Sequence, residues 1–156
     1  MINDPSCSKD APDLLEAIFS TFPQGILVLE QDGRVLRANA LAVELLRIPT
    51  GALSDEVPAW TFRRDGQPLP PQECPPSRAR AEGRAVQEEE LEWVRPDGTG
   101  LWLSVTAAPL AEGRVVVTFR DVTRQVQEDR VLRACARLAS RVQELDLTQL
   151  LQATLD

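Results

Sequence analysis

The spacing of apolar residues changes several times along the 156 residues of the chain. Leu15, Ile18, Phe19 and Phe22 fall at i, i+3, i+4 and i+7, which predicts a short amphipathic helix. Asp13-Leu-Leu-Glu16 supplies a capping box at its start, and Pro23 ends it. Gly25 to Glu30 is a short β-branched run and Val35 to Ala38 a second. The intervening Gln31-Asp-Gly-Arg34 joins them as a hairpin. Asn39 is placed to cap a helix over 40–46, with Leu41, Leu45 and Leu46 on one side and Pro49 closing it. Residues 50–85 are punctuated by glycine and proline and predict only short helical turns, the best over 75–82 with Gly83 beyond its end. From Val86 the period becomes two, and 86–94, 100–109 and 114–122 predict three strands in series. Pro96-Asp-Gly98 and Ala111-Glu-Gly113 are their turns. In the middle strand Leu101, Leu103, Val105 and Ala107 alternate with Trp102, Ser104, Thr106 and Ala108. Apolar groups on both faces predict a partner for the outer face as well.

After Val122 the pattern is helical. Val131, Cys135, Leu138, Val142 and Leu145 are spaced 4, 3, 4, 3, the seam of a coiled coil. Asp146-Leu-Thr-Gln149 reads as a second capping box, opening a helix with Leu147, Leu150, Leu151 and Leu155 on one face. The expected organisation is a flexible leader over 1–12, a folded domain with an N-terminal cap helix over 13–123, a coiled-coil helix over 124–145, and over 146–156 the start of a downstream helix cut from a longer chain.

Composition narrows the chemistry. Seventeen basic against twenty-four acidic residues give a formal charge of −7, a field that disfavours nucleic acid. Histidine and tyrosine are both absent. This removes the commonest general base, the commonest haem ligand and the usual zinc nitrogen donor. Cys7, Cys74 and Cys135 are odd in number and far apart, so they predict neither a disulfide framework nor a metal site. No signal peptide and no membrane span is legible, and a cytoplasmic setting is expected. No Gly-x-Ser-x-Gly, Walker loop or dinucleotide fingerprint occurs, and the chain is not expected to be an enzyme. Glu88, Glu90 and Glu92 share one strand face, expected to be solvated, while Glu89 joins Leu91 and Trp93 on the other. Calcium would take its oxygens from a loop instead.

The run from Gly25 to Ala40, ending in Ala38-Asn-Ala40, resembles the first hairpin and helix start of PAS domains. Gly66-Gln-Pro-Leu-Pro-Pro-Gln-Glu-Cys-Pro-Pro-Ser-Arg-Ala79 is similar to a stretch of bacterial sensor-kinase PAS modules. Arg95-Pro-Asp-Gly98 and Phe119-Arg-Asp-Val-Thr123 resemble the family's central hairpin and its Asp-x-Thr terminator. The resemblance covers about 14–123, and 138–156 is similar to the linker and first helix of a GAF domain. It implies an α+β fold in which a five-stranded antiparallel sheet curls around a small cavity, with short helices on one face. It also implies a non-catalytic sensory module of the sensor histidine kinase type. Such a module dimerises and passes a signal through its C-terminal helix to an output domain in the same polypeptide, expected here to be a histidine kinase.

Several residues carry these expectations. Asp121 and Thr123 sit where strand becomes helix; Asp121 is either an ordinary N-cap or, paired with Arg95, a coupling between sheet and helix. The seam either packs on the chain's own sheet or forms a parallel homodimer. The first helix covers its own sheet or a partner's. Leu27, Leu29, Asn39, Leu45, Ile48, Trp60, Phe62, Leu103, Val105, Val117 and Phe119 are either plain core or the lining of a ligand cavity, with Asn39 or an arginine as polar anchor. No cofactor is expected. Haem through histidine is excluded by composition, and the Gly-x-Asn-Cys-Arg-Phe-Leu-Gln motif of flavin-binding relatives is absent, Cys74 standing instead in Glu73-Cys-Pro75. An unknown small ligand is the alternative.

Overall fold

The computed structural model describes residues 7–48, 61–95 and 97–155, with side chains from Pro12 onward. Two units make up the chain, 1–121 and 122–156. In the first, helix α1 (Cys7–Thr21) leads into strands β1 (Gly25–Leu29) and β2 (Val35–Ala38) and helix α2 (Ala40–Leu46). Strands β3 (Phe62–Arg64) and β4 (Gln67–Pro68), helix α3 (Pro75–Glu82) and the long strands β5 (Val86–Val94), β6 (Gly100–Pro109) and β7 (Val115–Asp121) follow. All pairings are antiparallel, in the order β2-β1-β7-β6-β5-β3-β4.

The sheet has seven strands where five were expected. The addition is the β3–β4 hairpin, which extends the sheet beyond β5. Its turn places Asp65 at φ 52° and Gly66 at φ 78°, two successive left-handed residues that match the twist of a two-residue hairpin. Helix α1 begins at Cys7, so part of the expected leader is helical and Pro12 lies inside. A proline forfeits one intrahelical hydrogen bond without forcing the chain to start there. Asp13 is therefore an interior position and not a cap.

The inner face of the sheet is the core. Leu27, Leu29, Leu91, Leu103, Val105, Val115, Val117 and Phe119 are buried there, under Ala42 and Leu46 of α2 and Ala79 of α3. Phe62 meets Trp93 with ring centres 5.3 Å apart and planes tilted by 58°, an edge-biased aromatic contact. Gly25 lies across from Phe119, and a β-carbon there would come within 2.2 Å of that ring. The outer face carries Ile26, Val28, Trp102, Ala108 and Val116, all half-buried.

Asn39 fastens three elements at once. It is 3% exposed, the only buried polar side chain among the described residues. Its Oδ1 accepts from the amides of Ile26 and Ala42, both at 2.9 Å. Its Nδ2 donates to the carbonyls of Phe19 at 3.2 Å and Gln24 at 2.9 Å. The end of α1, the start of β1 and the N-cap of α2 thus converge on one side-chain amide. Around it Arg37 reaches from β2 to α1, stacking 4.7 Å over the Phe19 ring and pairing with Glu16.

The second unit is one helix, α4 (Thr123–Leu155). It runs unbroken through Asp146, so no new helix opens at the expected capping box. The side-chain carboxylate of an N-cap competes with helix only where the preceding residue leaves helical geometry, and Leu145 does not. From Val131 to Leu155 every side chain of α4 is exposed.

Asn39→Ala removes four hydrogen bonds from a buried site and strands two amides. It is expected to lower unfolding free energy by about 2–4 kcal/mol, read as the urea midpoint at constant m-value. Asn39→Asp keeps the acceptor side and should fall between the two.

Candidate interior cavity and relay site

The sheet's curl leaves one small void against α2 and α3, about 20 Å³ in volume. Leu27, Leu29, Phe62, Leu103, Val105, Val117 and Phe119 line it, joined by Leu46 and Pro76. Of the other positions expected to line a cavity, Leu45 and Ile48 pack half-buried beside the core, and Trp60 lies outside the described residues. The helix α2 turns Ala42 and Leu46 inward, a spacing of four that makes Leu46 and not Leu45 the wall. Pro76 carried no signal in the sequence, because prolines there read as punctuation. A void this size matches one water molecule, and a water needs two to four polar partners. This lining offers only carbon. Asn39 is no anchor either, since its amide is fully engaged in the backbone.

Of the expected relay residues, Arg95 lies just after β5 and Asp121 at the end of β7, strands that β6 separates. Asp121 closes β7 opposite Leu103, which stands opposite Leu91 on β5. Arg95 lies four residues further along and turns elsewhere, its Nη2 donating to the carbonyl of Leu45 at 3.3 Å. A cation on the last carbonyls of a helix meets the negative end of the dipole. Arg95 therefore clamps the C-terminus of α2. The same hairpin adds a second tie, Arg47 to Asp97 at 3.2 Å. Hydrogen bonds from the Thr99 hydroxyl at 2.6 Å and amide at 2.9 Å hold the Asp97 carboxyl below its ordinary range, with Arg47 and Arg95 adding to the effect. Thr123 opens α4 two residues after Asp121.

A second polar cluster depends on an irregularity in β5. The pairing with β6 shifts between Val86 and Glu89, and Glu88 adopts φ 43° with its amide donating to the Thr106 hydroxyl at 3.0 Å. Such a bulge inserts one residue and flips the face of what precedes it. Val86 consequently faces inward together with Glu89, Leu91 and Trp93. Glu89 is held by Arg64 from β3 and by Arg78 from α3 at 2.7 Å. The exposed Glu90 and the half-buried Glu92 remain on the outer face, as the alternation predicts. Beside this cluster Cys74 is buried, and burial pushes its thiol above the ordinary value. No group of side chains suited to a metal ion occurs among the described residues. No helix among them is long and apolar enough to cross a membrane.

Comparison with known proteins gives one family and several solved structures of similar fold. The family described as PAS fold matches residues 19–127. The PAS domain of nitrogen regulation protein NR(II) from Vibrio parahaemolyticus is 18% identical at a TM-score of 0.56, covering 69% of this chain and 97% of that one. A domain of a sensory box sensor histidine kinase/response regulator from Geobacter sulfurreducens is 15% identical at 0.56, covering 73% and 96%. An RNA-binding Light-Oxygen-Voltage receptor is 21% identical at 0.64, covering 86% of this chain and 39% of that chain. A comparison with curated proteins returns no match.

The buried thiol of Cys74 is expected to be protected: in a chain carrying Cys7→Ser and Cys135→Ser at pH 8, a disulfide reagent should consume Cys74 only after denaturation. Since burial raises the folded thiol of Cys74, its contribution to stability is intact below pH about 9. It declines as pH rises from there toward the folded value, which a urea titration across pH 8–11 would register.

Proposed function

The chain belongs to the PAS fold family, and from that premise we propose that it is a non-catalytic sensory and dimerisation module. It relays a signal through α4 to an output domain in the same polypeptide, a histidine kinase. The observation that carries this reading is the seam of α4. Val131 (61% exposed), Leu138 (63%), Val142 (57%) and Leu145 (62%) stand in one row with the exposed Cys135. Apolar side chains at this spacing are stable in water only when a partner helix covers them. A second copy of the chain presents the same row. The stretch of about six turns that precedes and contains it would carry a twist or register shift from β7, which ends at Asp121. Neighbours of the same fold in sensor kinases support the choice of output domain.

In this reading the module works in the cytoplasm without a bound cofactor. The apolar void of about 20 Å³ supports a signal carried by protein–protein contacts over one carried by a small ligand. Arg95 acts within the sheet unit, holding the β5–β6 hairpin to α2, and Asp121 and Thr123 form the covalent junction through which a displacement of β7 reaches the helix.

Wild-type protein is expected to scatter light as a dimer and Leu138→Asp as a monomer with unchanged circular dichroism in the strand region. Equal masses for the two would refute the dimer. Mass spectrometry of the denatured protein should find no stoichiometric companion; finding one would favour a ligand receptor.

A further inference from the structure

The seam's spacing assigns Val131, Leu138 and Leu145 to heptad positions d, and Cys135 and Val142 to positions a. The flanking positions then follow. Ala134 and Arg141 are g; Leu132, Ala139 and Asp146 are e. In α4 Arg124 pairs with Glu128 and Arg133 with Asp129, each across one turn. Arg141 and Asp146 are exposed and belong to no ion pair among the described residues. They are the only charges flanking the seam between Val131 and Asp146.

We infer that Arg141 and Asp146 are the orientation and register lock of a parallel dimer of α4, each Arg141 pairing with Asp146 of the partner subunit. The inference rests on the dimer reading above. In a parallel, in-register pair a g residue faces the e residue five positions on in the other helix. Ala134 then meets the partner's Ala139, small against small, and Arg141 meets the partner's Asp146, twice by symmetry. In an antiparallel pair g faces g and e faces e. Arg141 would then meet alanine or another arginine, and Asp146 would meet leucine, alanine or another aspartate. No antiparallel alignment joins opposite charges. A slip of one heptad in the parallel pair also separates them, so the same contact fixes register.

Asp146 also marks where the interface ends. The next seam positions are Gln149 and Gln152. The following apolar stripe, Leu147, Leu150, Leu151 and Leu155, lies about half a turn around the helix from the seam.

Charge exchange tests the lock on the full chain. Arg141→Asp and Asp146→Arg should each weaken the homodimer, by roughly tenfold in Kd, because each sets like charges face to face. An equimolar mixture of the two variants restores both attractive contacts and should form a heterodimer of wild-type affinity in sedimentation equilibrium. The doubly exchanged chain should recover the homodimer. In a Cys7→Ser background, oxidised glutathione should join the two Cys135 residues, which a parallel pair places roughly 6 Å apart at Cα. Two thiols then give two electrons and two protons to the reagent, leaving one protein disulfide and two molecules of glutathione. A wild-type dimer with no recovery on mixing, or with Cys135 resistant to oxidation, overturns the lock and leaves the dimer standing. A wild-type monomer at every concentration overturns both.

Discussion

The side-chain amide of Asn39 decides how the sheet unit is assembled. A buried primary amide offers two donors and two acceptor sites, and each must be satisfied away from water. Asn39 places all four in backbone positions: the end of α1, the segment before β1, the β1 amide of Ile26, and the first turn of α2. Because those partners belong to different elements, none can move without stranding a hydrogen bond. The direction in which α2 leaves the sheet is therefore set, and with it the inward turn of Ala42 and Leu46. The apolar interior follows. With the Asn39 amide turned to the backbone, the small void beneath the sheet is lined by carbon alone.

Arginine does the corresponding work at the rim. Arg80 of α3 donates through Nε to the carbonyl of Gly113 and through Nη2 to that of Glu30, both at 2.9 Å. One planar fork thus ties the helix to the ends of β1 and of the turn before β7. Arg95 does the same for α2 and the β5–β6 hairpin, and Arg64 and Arg78 share Glu89 between β3, α3 and β5. A guanidinium suits these sites because its donors are fixed in one plane, so two carbonyls on separate loops are captured without ordering a flexible ammonium. These contacts are partly exposed and each adds modestly to stability. Their effect is positional: Arg78, Arg80 and Arg95 each join a helix to the sheet, and Arg64 joins β3 to β5.

Which features were legible in the sequence follows from how local their causes are. The cap at Asn39, the period-two strands and the Gly83 stop depend on a few neighbouring residues, and the α-helix and strand patterns around them could be read directly. The β3–β4 hairpin was legible in principle through Asp65-Gly66, the same dipeptide that marks the turn after β1. Prolines on either side masked it. The bulge at Glu88 was not legible, because nothing in the run Gln87-Glu-Glu-Glu90 distinguishes the residue that will leave the ladder. What selects it is long-range: Val86 must face inward together with Leu91. The partner of Arg95 was missed for a related reason. Long side chains choose among carbonyls that only the assembled fold brings near, and pairing by charge alone favoured Asp121. Leu45 and Leu46 differ by one position, and the choice between them depends on the exit angle of α2 that Asn39 imposes.

The two apolar stripes of α4 place a geometric limit on any partner. A helix pair buries one face of each member, and 131–145 and 147–155 lie on nearly opposite faces of one continuous helix. A straight two-stranded pairing cannot cover both. In the dimer proposed above, with Asp146 between them as the last flanking charge of the first stripe, the helix would change partners at that residue. The second stripe would then belong to a different surface from the one covering Val131 to Leu145. Rotation of the pair about its own seam would sweep Leu147 and Leu151 through a wide arc, because they project away from the axis of contact. In the proposed relay, a rotation imposed upstream would thereby reach the second stripe through the same angle and redirect the surface it presents.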